Sequence, residues 1–169
     1  MFPLFPDARA SSVYEIPYER LYEKGYRGIL FDIDNTLTKH GAPATSDTVA
    51  LFKRLHATGF RTIVISNNHE ARVRSFARAV GTSYLPLAWK PFPRAYKRAL
   101  KILHLTPRDC IFIGDQIFTD IAGAKSMGIK SVLVDPIAAG SGREEWQIVL
   151  KRLPEKAILF FYDKMKGRK

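Results

Sequence analysis

Cysteine is almost absent from this chain of 169 residues, and the only one, Cys110, lies within an apolar run. A single cysteine cannot form an intramolecular disulfide, and it excludes a metal site built from several thiolates. We therefore expect a reducing, cytoplasmic location. No run approaches the roughly 18 uncharged apolar residues that span a bilayer. Residues 1–10 lack the basic and apolar segments of a secretion signal, so we expect a chain that is neither exported nor integral to a membrane.

Acidic residues are also scarce. The chain has 16 aspartate and glutamate residues against 27 lysine and arginine residues, a net charge of +11 and an isoelectric point near 9.9. This excess indicates an anionic partner such as a phosphate ester, a nucleic acid or an anionic lipid. The basic residues concentrate in segment 89–108, which contains no acid, and in the C-terminal residues Lys164, Lys166, Arg168 and Lys169. Each segment is either a binding surface or, in the ordinary interpretation, a solvated helix face or a frayed terminus.

Internal repeats and low-complexity linkers are missing as well, which excludes solenoids and disordered arrays. Hydrophobic residues make up 46% of the chain and charged residues 25%, as in an ordinary folded protein. Because one domain usually has about 100–200 residues, residues 1–169 are predicted to form a single domain. A basic C-terminal tail is predicted to begin at about residue 154.

Short apolar runs alternate with helix-length segments along the chain. The runs are rich in β-branched and aromatic residues and cover residues 28–33, 62–65, 83–87, 110–113 and 131–134. Helical periodicity covers residues 47–58, 70–80, 93–103 and 119–127, and a glycine follows three of these four segments, as at many helix C-termini. The alternation predicts an α/β fold of the three-layer Rossmann-like type, with a central parallel sheet of about five strands and helices on both faces.

Polar and charged residues lie at or shortly after the ends of four of the predicted strands. Each has an ordinary interpretation as a turn former, an N-cap or an exposed side chain. The carboxyl ends of parallel strands, however, meet at the edge of the sheet where ligands bind. The residues are Asp32 and Asp34 after the first strand, Ser66, Asn67 and Asn68 after the second, Lys90 after the third, and Asp115 and Asp120 after the fourth.

Four such coincidences at one edge favour a functional site. Two carboxylates at positions i and i+2 of an extended segment point to the same side, which is unfavourable unless a cation lies beside them. Mg²⁺ prefers oxygen ligands from carboxylates, phosphate and water. The sequence therefore predicts a Mg²⁺ site whose candidate ligands are Asp32, Asp34, Asp115 and Asp120.

These motifs, in this order and spacing, resemble those of the haloacid dehalogenase (HAD) superfamily of aspartyl-phosphate phosphotransferases. With Phe5-Pro6-Asp7 and Ser12-Val13-Tyr14 they are, more narrowly, similar to the YqeG family of IIIA-type HAD phosphatases, which is similar to phosphatidylglycerophosphate phosphatases. The resemblance covers about residues 5–134. It rests on Asp32-Ile33-Asp34-Asn35-Thr36-Leu37, Ser66-Asn67-Asn68, Lys90-Pro91, Gly114-Asp115-Gln116 and Thr119-Asp120.

The resemblance implies a Mg²⁺-dependent hydrolase of phosphate monoesters. Asp32 is the implied nucleophile, which becomes an aspartyl phosphate, and we expect Mg²⁺ and Lys90 to lower its pKa. Asp34 is the implied general acid for the leaving group and then the general base for water. We expect its like-charged neighbours to keep a proton on it.

The remaining implied roles concern the phosphoryl oxygens and the metal. Ser66 and Asn67 are expected to hold phosphoryl oxygens. Asp115 is expected to bind Mg²⁺ directly and Asp34 through its main-chain carbonyl. Asp120 is expected either to bind the metal through water or to orient Lys90.

The substrate is harder to predict, and the useful sign is a missing insertion. Segments 37–61 and 68–90 leave no room for the cap domain that many relatives carry. An open site suits a large or anchored substrate, such as a phospholipid at an anionic membrane surface, unless an oligomer supplies the lid. Phosphatidylglycerophosphate is favoured by the resemblance; a nucleotide, sugar phosphate or phosphoprotein is the alternative.

Two further alternatives stay open. The chain could be a basic module that binds RNA or ribosomes and whose phosphatase site is secondary or vestigial, although none of the motif residues is lost and no RNA-binding motif is visible. The tail places Phe160, Phe161 and Tyr162 beside basic residues, as interfacial membrane anchors do. The alternative is that this segment is a strand or helix packed on the core.

Overall fold

The computed structural model describes residues 4–137, 158–160 and 162–164. Its central sheet consists of β1 (Ala8–Ala10), β2 (Gly28–Phe31), β3 (Arg61–Ile65), β4 (Ser83–Leu85), β5 (Cys110–Gly114) and β6 (Lys130–Val134). The strands are parallel and their order is β1-β6-β5-β2-β3-β4. The predicted parallel sheet and its five predicted strands are confirmed.

The sixth strand, β1, was not predicted. It has only three residues, none of them buried, with Arg9 in the middle, so it carries neither an apolar run nor an alternating pattern. Pairing with β6 and hydrogen bonds from Ser131 to the Asp7 carboxylate hold it at the sheet edge. Tertiary pairing therefore decided this strand against a weak local signal.

The helices are α1 (Tyr18–Glu23), α2 (Ser46–Thr58), α3 (Glu70–Val80), α4 (Pro93–Leu103) and α5 (Ala122–Ser126). Three of the predicted helices are confirmed as α2, α3 and α4, and Gly59 and Gly81 end α2 and α3 with left-handed φ angles of 104° and 72°. The fourth prediction, residues 119–127, is only partly right because a π-helical turn, Ile117–Ile121, precedes the short α5. The short helix α1 was not predicted.

Helices cover both faces of the sheet, as predicted. Successive side chains of a strand point to opposite faces, so Ile29 and Phe31 join the core beneath α2 and α3, whereas Leu30 joins the core beneath α4 and α5. Cys110 belongs to the second core, where burial raises the pKa of its thiol to about 12. This thiol is therefore a packing residue, not a reactive nucleophile.

The described part of the C-terminal tail is helical and contacts the core. Tyr162 is only 7% exposed and its ring meets Phe5 edge-on, with the centroids 5.6 Å apart. Asp163 forms an ion pair of 3.0 Å with Arg9. The core-packing alternative is thus confirmed for Tyr162, and its proposed insertion into a membrane is wrong.

Phe160, by contrast, is 65% exposed. The Phe161 side chain and Lys166, Arg168 and Lys169 lie outside the described residues. Among the helices that the structure describes, none is both long enough and apolar enough to cross a bilayer.

Candidate active site

The candidate site lies where the chain reverses its direction across the sheet. From β2 the chain proceeds through β3 to β4 on one side, and it returns through β5 and β6 on the other. The crevice between β2 and β5 is therefore a topological switch point, where ligands bind in open α/β sheets. The Asp32 N–H donates to the carbonyl of Ile113 at 3.0 Å, which brings Asp32 next to the end of β5 and Asp115.

Three buried carboxylates converge in this crevice. One oxygen each from Asp32, Asp115 and Asp120 lies within 4.8 Å of the other two. The Lys90 ammonium reaches the same place from the loop after β4, contacting Asp32 and, at 2.7 Å, Asp120. All four residues are at most 7% exposed. The predicted convergence of strand ends therefore occurs, and it leaves three carboxylates facing one ammonium.

This imbalance determines the pKa values of the clustered side chains. Burial raises the pKa of Asp32 to about 8, the carboxylates of Asp120 and Asp115 add to the rise, and Lys90 opposes it. Burial acts to lower the pKa of Lys90, but Asp120 and Asp32 outweigh that effect and raise it. Lys90 thus stays charged, yet its charge does not suffice to lower the pKa of Asp32 as expected.

The donor set fits a hard divalent cation. Three buried carboxylates with a net negative charge are costly to desolvate, and oxygen ligands of this kind are those that Mg²⁺ prefers. Thr36 orients one of them, because its hydroxyl donates to Asp115 Oδ1 at 3.1 Å. Asp115 and Asp32 are the carboxylates best placed to hold such an ion, because Lys90 and the Gln116 N–H engage both oxygens of Asp120, whereas Lys90 contacts only Oδ1 of Asp32.

Asp120 also fixes the loop that follows β5. Its Oδ2 accepts the Gln116 N–H at 3.1 Å while its Oδ1 contacts Lys90. Gly114 makes room for this carboxylate, because a Cβ atom at that position would lie 2.6 Å from Asp120 Cγ. Of the two roles expected for Asp120, orienting Lys90 is the one that its contacts display.

Asp34 lies two residues from Asp32 in a different environment. Its carboxylate accepts the Gly41 N–H at 2.8 Å and the Asn68 side-chain N–H at 2.5 Å. Arg72 Nη2 lies 3.3 Å and His40 Nδ1 3.8 Å from Oδ1. Hydrogen-bond donors and the Arg72 guanidinium thus surround the Asp34 carboxylate, and the expectation that like-charged neighbours keep a proton on it stays a prediction. Its side chain also lies outside the three-carboxylate cluster, so only its main-chain carbonyl keeps the predicted metal role.

The polar side chains after β3 form hydrogen bonds with main-chain groups. Ser66 is buried, and its hydroxyl oxygen accepts the Asn68 N–H at 3.2 Å, which leaves its proton for another acceptor. Asn67 Oδ1 accepts the Lys90 N–H at 2.8 Å, and its Nδ2 donates to the Lys90 carbonyl at 3.4 Å. The contacts of Asn67 therefore position Lys90, and its predicted binding of phosphate stays a prediction.

Sequence reasoning missed the surroundings of Asp34. Arg72 lies in the first turns of α3, and His40 and Gly41 lie in the loop before α2. None of them belongs to a strand-end motif. The one available signal for Arg72 is its place on the helix that directly follows Ser66, Asn67 and Asn68, which sets its side chain near the same edge of the sheet.

Comparison with known proteins agrees with this geometry. Residues 41–128 match the family of haloacid dehalogenase-like hydrolases, which is more than half of the chain. The probable phosphatase YqeG of Bacillus subtilis is 35% identical over 138 residues, or 81% of this chain and 80% of that protein. The chain belongs to the haloacid dehalogenase family. Within that family it is an enzyme of the phosphatase type.

More distant similarities are consistent. The chloroplast and mitochondrial phosphatidylglycerophosphate phosphatase 1 of Arabidopsis thaliana is 24% identical over 80% of this chain and 42% of its own length. The crystal structure of a HAD phosphatase from Thermococcus onnurineus superposes with a TM-score of 0.53 at 14% identity, covering 69% of this chain and 88% of that one. At this identity the superposition supports the fold, which is the Rossmann-like fold of HAD phosphatases.

Proposed function

We propose that this chain hydrolyses phosphate monoesters with the help of Mg²⁺ and through an aspartyl phosphate on Asp32. The observation that carries the proposal is the buried cluster in which three carboxylates, Asp32, Asp115 and Asp120, face the single ammonium of Lys90. Such an excess of buried negative charge calls for a cation. It would also repel an anionic ester in the absence of that cation.

Asp32 and Asp115, with the main-chain carbonyl of Asp34, are the residues that would hold the ion. When bound, Mg²⁺ would neutralise phosphoryl charge and favour the ionised form of Asp32. Lys90 would supply a second positive charge from a fixed position, because Asp120 holds its ammonium and Asn67 holds its backbone. Ser66 would donate its hydroxyl proton to a phosphoryl oxygen.

The chemistry would proceed in two displacements. In the first, a carboxylate oxygen of Asp32 bonds to phosphorus as the bond from phosphorus to the alcohol oxygen breaks, and Asp34 gives a proton to the leaving alkoxide. In the second, water attacks phosphorus, Asp34 accepts its proton, and the bond to Asp32 breaks to release inorganic phosphate. Asn68 and Arg72 would hold the Asp34 carboxylate in place for both proton transfers.

Phosphatidylglycerophosphate is the substrate we propose. The segment from Leu37 to Arg61 contains one loop and α2, and the segment between Asn68 and Lys90 contains α3 and β4, so neither of these described segments contains a cap domain. An uncapped crevice would admit a phosphate on a large or anchored molecule. The resemblance of the Arabidopsis enzyme supports a lipid phosphate over the alternatives, which are a nucleotide, a sugar phosphate or a phosphoprotein. The cytoplasmic location, which we inferred from the cysteine count, stays a prediction.

The test is a panel of phosphate esters assayed with Mg²⁺ and with excess EDTA. The panel would contain lipid phosphates in detergent micelles, nucleotides, sugar phosphates, a phosphopeptide and p-nitrophenyl phosphate. We expect Mg²⁺-dependent release of phosphate, with the highest kcat/KM for phosphatidylglycerophosphate. Full activity in EDTA would contradict the metal, and preference for a soluble ester would contradict the lipid. Binding of RNA or ribosomes without turnover of any ester would instead support the binding-module alternative.

A further inference from the structure

An exposed apolar surface lies beside the candidate active site. The loop between β4 and α4 presents Leu87, Trp89 and Phe92, which are 49%, 73% and 66% exposed. Large apolar side chains that cluster on a surface mark an interaction site more often than single ones do. Three of them within six residues therefore call for an explanation.

These side chains border a groove that ends on basic residues. The groove has a volume of about 370 Å³. It is lined by Leu87, Trp89 and Phe92, by Arg94 and Arg98, and by small or aliphatic residues of β4, the loop and α4. Its walls thus change from apolar to cationic over the first turns of α4.

The cationic side continues along α4. The four basic residues of this helix are exposed and spaced at i, i+3, i+4 and i+7, which aligns them on one face: Arg94, Lys97, Arg98 and Lys101. The opposite face of the helix is buried in the core. Within the described part of the chain none of the four forms an ion pair with a carboxylate. Segment 89–108 also contains no acid, so this stripe is an uncompensated positive surface.

Backbone hydrogen bonds join the apolar loop to the site. The Leu87 N–H donates to the Asn68 carbonyl at 2.9 Å, and the Ala88 N–H donates to the Ser66 carbonyl at 3.0 Å. Trp89 is followed directly by Lys90, whose ammonium lies in the carboxylate cluster. A partner that contacts this loop would therefore lie next to the opening of the crevice.

We propose that Leu87, Trp89, Phe92 and the basic stripe of α4 form a docking surface for an anionic phospholipid bilayer, an inference that rests on the proposed function. Aromatic side chains favour the headgroup level of membranes, and basic residues beside them are attracted to anionic lipids. A nucleic acid would also match the charge, but base stacking uses aromatic faces and gives no role to the exposed aliphatic side chain of Leu87. Docking through this surface brings the headgroup phosphates of the bilayer to Lys90 and Ser66.

Vesicle sedimentation tests the electrostatic half of the surface. The full chain is expected to bind vesicles that contain phosphatidylglycerol and not to bind neutral phosphatidylcholine vesicles. It should dissociate from the anionic vesicles as the salt concentration rises. Lys97→Glu with Lys101→Glu should weaken binding by at least about tenfold, since each basic residue near an anionic membrane contributes about 1 kcal/mol. The matched control is Lys53→Glu with Arg78→Glu, which reverses two exposed charges on other helices and should change binding by less than about twofold.

Fluorescence tests the apolar half. Trp146→Phe leaves Trp89 as the only tryptophan, and its emission should shift to shorter wavelength and be quenched by brominated lipid when anionic vesicles are added. Trp89→Asn, which suits the left-handed backbone there with its φ of 51°, should weaken vesicle binding by about tenfold or more. Phe160→Ser is the control for an exposed aromatic of the tail and should bind as the parent chain does.

The outcomes separate this inference from the proposed function. Turnover of soluble p-nitrophenyl phosphate reports on the catalytic cluster, and vesicle binding reports on the surface. The docking surface is overturned if the parent chain ignores anionic vesicles, if both surface variants bind them normally, or if Phe160→Ser alone abolishes binding. It is also overturned if an RNA oligonucleotide, and not the vesicles, is bound through these residues. Vesicle binding without hydrolysis of lipid phosphates supports the surface and contradicts the proposed substrate.

Discussion

Asp32 and Asp34 are two residues apart in the chain, and the fold gives them opposite surroundings. Asp32 faces two further carboxylates and one ammonium, and burial raises its pKa. Asp34 receives hydrogen bonds from Gly41, Asn68 and Arg72. The difference shows how one short motif places two carboxylates in separate environments. In the proposed mechanism Asp32 is the nucleophile beside the cation, and Asp34 exchanges protons with the leaving group and with water.

Replacing the nucleophile should have the largest effect. Asp32→Asn removes the oxygen that bonds to phosphorus, so we expect kcat for p-nitrophenyl phosphate to fall by at least about a thousandfold. Circular dichroism should show an intact fold, and the exposed Asp47→Asn should keep its activity. Peptide mapping after acid quench should locate the phosphoryl group on Asp32 in the parent chain. Phosphate trapped on another residue, or normal rates in the variant, would contradict the assignment.

Replacing Asp34 should reveal its separate task through the leaving group. Asp34→Asn should lower kcat by about a hundredfold or more for an alkyl phosphate, whose leaving oxygen needs a proton. The p-nitrophenolate leaving group needs no proton, so the first displacement of p-nitrophenyl phosphate should persist. The phosphorylated enzyme should then accumulate, and p-nitrophenolate should be released in a burst.

The positioning of Asp34 can be tested by a milder change. Arg72→Gln leaves the carboxylate in place and removes a cation 3.3 Å from it, so we expect a loss of about tenfold that is again larger for the alkyl ester. Equal losses with both esters, in either variant, would argue for a structural role only.

Two variants test the proposed metal ligand Asp115, one with a large expected effect on the Mg²⁺ requirement and one with a smaller effect. Asp115→Ala should raise the Mg²⁺ concentration needed for half-maximal activity by about a hundredfold, because it removes a ligand. Thr36→Val keeps the shape of the side chain but removes the hydrogen bond to Asp115 Oδ1, so a rise of about three- to tenfold is expected. Mg²⁺ titration of the rates measures both. Unchanged Mg²⁺ dependence in Asp115→Ala would place the ion elsewhere.

The smallest expected effect concerns the stability of the metal-free chain. The pKa of Asp32 is about 8 in the fold against 3.8 for an ordinary aspartate, so the folded state binds this proton more tightly than the unfolded state. The contribution of Asp32 to the free energy of unfolding therefore falls as pH rises from about 4 to about 8.

Thermal unfolding in EDTA tests this sign. At pH 8, Asp32→Asn should raise Tm above that of the parent chain, and at pH 4 the difference should vanish. Glu23→Gln, at an exposed carboxylate, should show no such pH dependence. A lower Tm for Asp32→Asn at pH 8 would show that its pair with Lys90 outweighs the desolvation of the carboxylate.

Much of the scaffold follows from local patterns. The runs that form β2, β3, β5 and β6 are nearly continuous apolar stretches, as buried parallel strands require. The helices α2, α3 and α4 begin and end within one residue of their predicted bounds. Strand β1 and helix α1 escaped prediction because three and six residues carry too little periodicity to stand out.

The chain sequence by itself determined which residues reach the carboxyl edge of the sheet. Asp32, Ser66, Lys90 and Asp115 each follow an apolar run, and parallel pairing of those runs brings the four residues together. Only the tertiary structure decided where their side chains are directed. Asn67 accepts a hydrogen bond from the backbone of Lys90, and Asp34 forms an ion pair with Arg72. Tyr162 packs on Phe5. Such contacts join residues that are tens to more than a hundred positions apart, and no local pattern specifies them.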